Sequence, residues 1–263
     1  MRTGTRPVPI GELLDAWLAV QRGDFRRGAT SRRAEAADSA AASWSPEPGE
    51  VPIVVVGCGG GAGASTVALL LVETSATGRV VECGSASNGS LAGASTAELG
   101  VTEDGWLQGR RGGILVQRRS DRPSGPSTLA APLPGSPGAV VVVDACWNLR
   151  ALLDSAGWLP DLARTCPRLV LVTRCTVPGV GRLEADLSFV DADRCWAVIT
   201  GAPRQLPRTV EGALGPRARD LRQRGRLHLL PHDAGFAVAG ITTEPLPRAF
   251  ERAGQRLLKG LLP

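Results

Sequence analysis

An unbroken apolar run followed at once by a glycine cluster is the feature that most limits how this chain can fold. Residues 51–56 form the run, and five of the next seven residues, 57–63, are glycine. The run predicts a strand buried on both faces, as in a parallel sheet, and residues 63–76 predict a helix. This order is typical of a phosphate site, because backbone N–H groups and the helix N-terminus converge on an anion. The alternative is a tight turn in which glycine only relieves steric crowding.

Further apolar strands alternate with helical stretches along the rest of the chain. The alternation predicts an α/β fold with a doubly wound, mostly parallel sheet and helices on both faces. Residues 120–138, rich in proline, glycine and serine, predict a loop. The predicted strands are residues 79–83, 113–117, 139–143, 169–173, 197–200 and 227–230. The predicted helices are residues 149–165, 180–189 and 208–224, and a last helix that carries Leu246, Phe250, Ala253, Leu257 and Leu261 on one face.

A separate N-terminal part precedes this domain, which we predict over residues 51–263. Residues 1–20 predict a short amphipathic helix. Residues 21–50 are polar and rich in arginine and alanine, and they predict a flexible linker. A helix on such a tether would dock on a partner, on a membrane surface or back on its own domain. The linker arginines are either solvated or contact DNA phosphates. The apolar face of the helix consists of Ile10, Leu14, Trp17 and Leu18.

Composition argues against several classes of protein. No apolar run reaches the ~18 residues of a transmembrane helix, and no apolar signal core precedes a cleavage site, so we expect a cytoplasmic protein. The six cysteines include no Cys-x-x-Cys pair, which disfavours a zinc site and predicts reduced thiols. The net charge of +5 permits contact with nucleic acid or anionic lipid without requiring it.

The glycine turn follows the P-loop pattern G-x-x-x-x-G-K-[ST] except at its lysine. When the pattern is aligned on Gly63, Ala64 takes the lysine position. Ser65 takes the hydroxyl position and Thr66 follows it. The hydroxyl of a P-loop contacts Mg²⁺, and the missing lysine is the group that contacts the outer phosphates.

The turn resembles that of the MinD/ParA family of P-loop ATPases, in which a second, signature lysine opens the turn. Gly59 stands at the signature position, so both lysines of the family's turn are missing. After Gly59, Gly60 and Gly61 stand at the two glycine positions of the family's turn, and Ala62 stands at its variable position. The turn is similar in particular to the branch that includes the pilus-localisation proteins CpaE and TadZ and the actinobacterial septum-site-determining proteins, in which the turn lysines are often incomplete.

Three further segments match the family, and the resemblance covers residues 51–260. A hydrophobic run ends in Asp144, like a Walker B strand whose carboxylate acts on Mg²⁺ through water. Residues 88–91, Asn-Gly-Ser-Leu, resemble the family's switch region. Of the two acidic residues that precede this region in the family, this chain retains one, Glu82. Residues 230–233, Leu-Pro-His-Asp, resemble the family's Pro-x-Asp turn near the adenine pocket.

The resemblance implies ATP or ADP with Mg²⁺ as the cofactor, and the alternative is a turn that has lost its nucleotide altogether. Ser65 and Asp144 would hold the Mg²⁺. The indole of Trp147, which follows the Walker B-like strand, could fill space that a nucleotide otherwise uses. The implied nucleotide-binding residues are Gly59, Gly60, Gly61, Gly63, Ala64, Ser65, Thr66 and Asp144.

The missing lysines predict a catalytically degenerate protein, because the P-loop lysine neutralises charge that grows in the transition state. The only lysine of the chain, Lys259, lies near the C-terminus. We therefore expect a positioning or regulatory scaffold, and the resemblance implies a partition, pilus or secretion, septum or conjugation context. It also implies a protein partner at the N-terminal helix or the switch face, a homodimer, and contact with non-specific DNA or an anionic membrane.

Two alternatives remain open. One is an active, slow ATPase in which an arginine replaces the lysine. The other is a Rossmann-type oxidoreductase, because Gly57, Gly59 and Ala62 also satisfy the dinucleotide fingerprint G-x-G-x-x-G/A, with Glu82 twenty residues later as the ribose-binding acid. The candidate replacement arginines are Arg110, Arg111, Arg118, Arg119, Arg150 and Arg174.

Overall fold

The computed structural model of the chain describes residues 44–75, 77–85, 89–135 and 138–262. The predicted N-terminal helix, the arginines of the linker and Asn88 of the predicted switch region lie outside these residues. No helix within the described ranges has both the length and the apolar character needed to cross a membrane.

Nine strands form one sheet in the described part of the chain. They are β1 (Val51–Gly57), β2 (Gly78–Glu82), β3 (Ala97–Val101), β4 (Trp106–Arg111), β5 (Ile114–Arg119), β6 (Val140–Asp144), β7 (Leu169–Arg174), β8 (Cys195–Ala202) and β9 (Leu227–Pro231). Their order across the sheet is β3-β4-β5-β2-β6-β1-β7-β8-β9. All neighbouring pairs are parallel except β3–β4 and β4–β5, which are antiparallel.

Helices cover both faces of this sheet, as the alternation predicts. The α-helices are α1 (Ala64–Thr74), α2 (Leu149–Leu153), α3 (Trp158–Thr165), α4 (Val177–Leu187), α5 (Arg208–Gly212), α6 (Pro216–Gln223), α7 (Ala234–Ala239) and α8 (Arg248–Leu261). Short 3-10 helices occur at Leu91–Gly93, Pro126–Thr128 and Ala192–Arg194. Side chains from α1 and α8 join one core cluster, and those from α2 to α6 join the cluster on the opposite face.

The apolar run of β1 supplies both cores, which explains why it does not alternate with polar residues. Ile53 and Val55 point into the cluster under α1 and α8, while Val54 and Val56 point into the cluster on the other face. All four are fully buried. Side chains of a strand alternate between the two faces of its sheet, so a strand covered on both sides is apolar at every position.

The packed domain begins before β1. Trp44 contacts Trp158 edge-to-face, with ring centroids 5.1 Å apart, and Glu50 is buried. Two hydrogen bonds of 2.8 Å each join the Glu50 carboxylate to the Arg79 guanidinium. Residues 44–50, assigned to the linker from their composition, therefore pack on the domain.

Three predicted elements differ from those observed. The helix predicted over 149–165 is two helices, α2 and α3, because the chain turns at Gly157 with φ 115°. The helix predicted over 208–224 is likewise two, α5 and α6, and proline occupies the first turn of the second. The strands β3 and β4 have no predicted counterpart, since every residue of β3 is exposed and shows no buried periodicity.

The sheet order separates this fold from the dinucleotide-binding fold. In that fold the first two strands are neighbours, in the order 3-2-1-4-5-6. Here β6 lies between β1 and β2, so Asp144 at the end of β6 stands between the glycine turn and Glu82. An acid at the end of β2 therefore does not adjoin the glycine turn directly.

Candidate functional site

The glycine turn lies at the carboxyl end of β1, near the middle of the sheet, and leads into α1. Gly61 and Gly63 have φ values of 66° and 88°, a left-handed conformation that glycine adopts without a steric penalty. A β-carbon on Gly63 would stand 3.2 Å from Cγ2 of Thr200. The Thr200 hydroxyl donates a hydrogen bond of 2.8 Å to the carbonyl of Ala62, which fixes the turn against β8.

A cavity of about 540 Å³ opens beside this turn. The first backbone N–H groups of a helix have no partner within the helix, and those of α1 begin at Ala64, beside the cavity. The structure therefore brings together all of the predicted nucleotide-binding residues. The cavity is lined by Gly59, Gly60, Gly61, Gly63, Ala64, Ser65, Thr66 and Asp144, among others.

Asp144 ends β6 at the bottom of the cavity and is fully buried. Within the described residues, neither of its carboxylate oxygens has a hydrogen-bond partner. Burial raises the pKa of this carboxyl. The Ser65 hydroxyl, the Cys146 thiol and the Cys146 backbone N–H face it without the distance and angle of a full hydrogen bond, and they offset that effect only in part. A buried carboxylate without partners is costly unless a cation compensates it, so Asp144 has the character expected of a metal ligand.

Glu82 is the paired residue of Asp144 on the neighbouring strand. Its Oε1 accepts hydrogen bonds from the backbone N–H groups of Ser90, at 2.7 Å, and Leu91, at 3.0 Å. Burial, followed by repulsion from Asp144, raises the pKa of Glu82 to about 7. The side chain is 2% exposed. Glu82, which the dinucleotide alternative predicts as the ribose-binding acid, is thus hydrogen-bonded to the backbone of the predicted switch segment. Because it is buried, it is not exposed toward the glycine turn.

Cys146 and Trp147 complete the bottom of the cavity. Cys146 has φ 58°, and it is the one non-glycine residue with positive φ in the described ranges. Ligand atoms of Glu82, Asp144 and Cys146 all lie within 4.8 Å of one another. The indole of Trp147 donates a hydrogen bond of 3.3 Å to the carbonyl of Cys83, and it lines the cavity.

Three arginines surround the turn, and only one of them is among those predicted. Arg174 approaches Gly61, with its Nη1 4.0 Å from the point where a β-carbon would stand. The Nη1 of Arg182 lies 3.1 Å from the point where a β-carbon on Gly59 would stand. Arg122 lines the cavity. Arg182 lies on α4 and Arg122 in the loop after β5, so no local pattern marks either of them.

The other predicted arginines are engaged elsewhere, and the prediction that they could serve the turn is wrong for them. The guanidinium of Arg111 is held by Glu73 and by three backbone carbonyls, while Arg110 lines a separate cavity next to Arg79. The remaining three pair with acids close by, in the pairs Arg118–Glu98, Arg119–Asp121 and Arg150–Asp154.

A second, smaller cavity of about 140 Å³ lies on the other side of the turn. It is lined by Gly61 and Gly63 and by residues 230–233, the predicted Pro-x-Asp turn. Asp233 accepts a hydrogen bond of 2.8 Å from the backbone N–H of Phe236 and so caps α7. The segment predicted to lie near an adenine pocket is therefore next to the glycine turn.

No protein-family model and no curated protein matches this chain. Solved structures do resemble it. The septum site-determining protein MinD of Pyrococcus horikoshii, complexed with Mg-ADP, is 15% identical with a TM-score of 0.50, over 81% of this chain and 96% of that chain. A ParA family ATPase of Chlorobium tepidum is 12% identical, with a TM-score of 0.45, over 80% and 91%. A nucleotide-binding protein of Archaeoglobus fulgidus in complex with ADP is 17% identical, with a TM-score of 0.44, over 77% and 91%.

The likeness to the Pyrococcus horikoshii protein concerns the fold. The nine-stranded, mostly parallel sheet, the glycine turn between its central strand and α1, and the acid at the end of the adjacent strand agree with it. The chain has the fold of the MinD/ParA-like P-loop ATPases.

Proposed function

We propose that this protein binds ATP or ADP with Mg²⁺ at the glycine turn, hydrolyses ATP slowly or not at all, and acts as a positioning or regulatory scaffold. One observation carries the proposal. The glycine turn, the start of α1 and the buried Asp144, which has no hydrogen-bond partner among the described residues, share one cavity, and Ala64 occupies the lysine position in it. The nucleotide class is that of the Pyrococcus horikoshii protein, which is complexed with Mg-ADP.

The residues of the cavity suit both parts of the ligand. Backbone N–H groups of the turn and the N-terminal end of α1 favour phosphate oxygens. Ser65 and Asp144 offer the hydroxyl and the carboxylate with which a P-loop protein holds Mg²⁺. When bound, Mg²⁺ neutralises phosphate charge, and at this position it would also compensate the buried Asp144 carboxylate.

The same cavity explains why we expect slow hydrolysis. The methyl group of Ala64 cannot neutralise charge on the phosphates as a lysine would. The only lysine of the chain, Lys259, is exposed near the end of α8. A bound nucleotide would then persist and hold one state of the protein, which suits a scaffold better than an enzyme.

The readout of that state would be the segment that follows Glu82. Glu82 holds the backbone N–H groups of Ser90 and Leu91 and faces Asp144. A cation at Asp144 changes the charge next to Glu82 and therefore the electrostatics of this segment. We propose that a protein partner binds at this segment and at the predicted N-terminal helix. A second copy of the chain, DNA and an anionic membrane are the alternative binding partners.

Titration calorimetry of the full chain with ATP, ADP and NADH, each with and without Mg²⁺, tests the proposal. We expect ATP and ADP to bind more tightly with Mg²⁺, NADH not to bind, and phosphate release to stay far below ~1 s⁻¹. Asp144→Asn should abolish the effect of Mg²⁺ on affinity, whereas the exposed Asp154→Asn should preserve it. Ala64→Lys should strengthen ATP binding by at least about tenfold, since a charged hydrogen bond contributes roughly 1.5–3 kcal/mol.

Failure of both the wild type and Ala64→Lys to bind either nucleotide would overturn the proposal. Binding of NADH that is lost in Glu82→Ala would favour the oxidoreductase alternative in its place. Fast hydrolysis by the wild type would remove the scaffold and leave an ATPase.

The slow ATPase remains a second candidate, because Arg182 and Arg174 both approach the turn. An arginine supplies the charge of the missing lysine, although its planar guanidinium is larger and differs in geometry. If one of them serves this role, Arg182→Ala or Arg174→Ala removes the residual phosphate release. Arg222→Ala, which removes a half-exposed arginine of α6, leaves it intact.

A further inference from the structure

Three potential metal ligands meet at the carboxyl ends of two neighbouring strands. Glu82 on β2 and Asp144 on β6 are register partners, so their side chains point to the same face of the sheet. The left-handed backbone of Cys146, with φ 58°, turns the chain just after Asp144. As a result, a carboxylate oxygen of each acid and the Cys146 sulfur lie within 4.8 Å of one another.

The electrostatics of this cluster call for a cation. Asp144 is fully buried, and neither of its oxygens has a hydrogen-bond partner among the described residues. Arg118, the register partner of Glu82 on β5, pairs with Glu98. Two carboxyl groups are thus brought together in a buried position without a lysine or arginine bound to Asp144 in the described part of the chain.

The donor set distinguishes between cations. Mg²⁺ and Ca²⁺ take oxygen ligands, whereas Zn²⁺ and Co²⁺ also accept cysteine sulfur. A tetrahedral site with ligands 2.0–2.3 Å from the metal holds them about 3.5 Å apart, so side-chain rotations that move each atom by about an ångström close the site. The fourth position faces the cavity beside the glycine turn.

We propose that Glu82, Asp144 and Cys146 form a binding site for a divalent transition-metal cation of the Zn²⁺ type, with its fourth position open to the cavity. The site does not depend on nucleotide, and it is distinct from a Mg²⁺ position between Ser65 and a nucleotide phosphate. The two sites share Asp144, so the two cations compete for this residue.

Titration of the reduced, tag-free, full-length protein with Co²⁺ in the absence of nucleotide tests the site. We expect one equivalent to bind, with a sulfur-to-cobalt charge-transfer absorption in the near ultraviolet, and we expect Zn²⁺ to displace it. Cys146→Gly and Cys146→Ser should abolish that absorption. Glu82→Gln and Asp144→Asn should weaken Co²⁺ binding by at least about tenfold, the lower limit seen even for loss of outer-shell partners.

Cys175→Ser is the matched control, because Cys175 is also partly accessible and lies outside the cluster. It should retain the absorption in full, and circular dichroism should show that each variant is folded. Absence of the absorption in the wild type, its persistence in Cys146→Gly or its loss in Cys175→Ser would each overturn the proposal. Metal binding without ATP binding would overturn the proposed function alone, and ATP binding without the absorption would overturn this inference alone.

Discussion

Arg182 lies against Gly59, with its Nη1 3.1 Å from the point where a β-carbon on that glycine would stand. The resemblance of the turn to that of the MinD/ParA family aligns Gly59 with the signature lysine. The side chain of Arg182 thus brings positive charge from α4 to a place where the turn itself has none. The absence of a side chain at Gly59 is what leaves room for the guanidinium.

Replacing Arg182 should weaken nucleotide binding. We expect Arg182→Ala to raise the dissociation constant for ATP-Mg²⁺ by about tenfold or more, because a hydrogen bond to a charged group contributes roughly 1.5–3 kcal/mol. Arg182→Lys should recover part of the affinity. Calorimetry of both variants measures the effect, and Arg222→Ala, which removes a half-exposed arginine of α6, is the control. Equal affinities for wild type and Arg182→Ala would mean that this side chain does not contact the phosphates.

The backbone at Cys146 allows a prediction about stability. A left-handed conformation costs a non-glycine residue about 1–2 kcal/mol, and Cys146 has φ 58°. Cys146→Gly should therefore be more stable than Cys146→Ala by about 1 kcal/mol, the reverse of the usual order for these residues. Both variants lack the thiol, so the comparison isolates the backbone. Urea unfolding measures the difference, and greater stability of the alanine variant would contradict the left-handed conformation.

The central part of the sheet could be predicted from the sequence because its strands are buried on both faces. The runs that became β1, β6 and β7 each contain four consecutive apolar residues that are buried, and a strand covered on both faces has this pattern. The hairpin of β3 and β4 was not predictable in this way, since β3 is fully exposed and forms by pairing with its neighbour. The predicted helices that divide in two do so at a glycine and at a proline, which interrupt an otherwise helical pattern.

The candidate site was predictable only in its local parts. Gly63, Ser65 and Asp144 stand in recognisable motifs at the ends of strands, and those motifs specify which end of the sheet they share. Arg122 lines the cavity from a loop and Arg182 approaches Gly59 from α4, and neither belongs to a motif. The metal-ligand cluster likewise depends on a register between β2 and β6 and on the conformation of Cys146, which are properties of the folded chain alone.

The buried pair of Glu50 and Arg79 should fasten the residues before β1 to the domain. Their side chains are 0% and 3% exposed and share two hydrogen bonds of 2.8 Å. We expect Glu50→Gln to lower the free energy of unfolding by about 3 kcal/mol, because it leaves a buried guanidinium without its negatively charged partner. Glu98→Gln, which breaks a pair whose acid is half exposed, should cost less than about 1 kcal/mol. If denaturant unfolding shows that Glu50→Gln and Glu98→Gln lower the free energy of unfolding equally, residues 44–50 contribute little to the stability of the domain.

His228 should make the protein less stable in mild acid. It lies in β9, and its buried Nε2 has no hydrogen-bond partner in the part of the chain that the structure describes. Burial, followed by repulsion from Arg256 on α8, lowers its pKa below the usual 6.5. The unfolded chain therefore takes up the proton first, and the free energy of unfolding falls as the pH drops from 6.5 toward the lower pKa of the folded state. His228→Gln removes this titration, so its stability should fall less than that of the wild type between about pH 7.5 and about pH 5.5. Urea unfolding at the two pH values measures the difference, and His232→Gln, in the turn after β9, controls for the loss of a histidine. An unchanged pH dependence in His228→Gln would show that acid destabilises the fold through other groups.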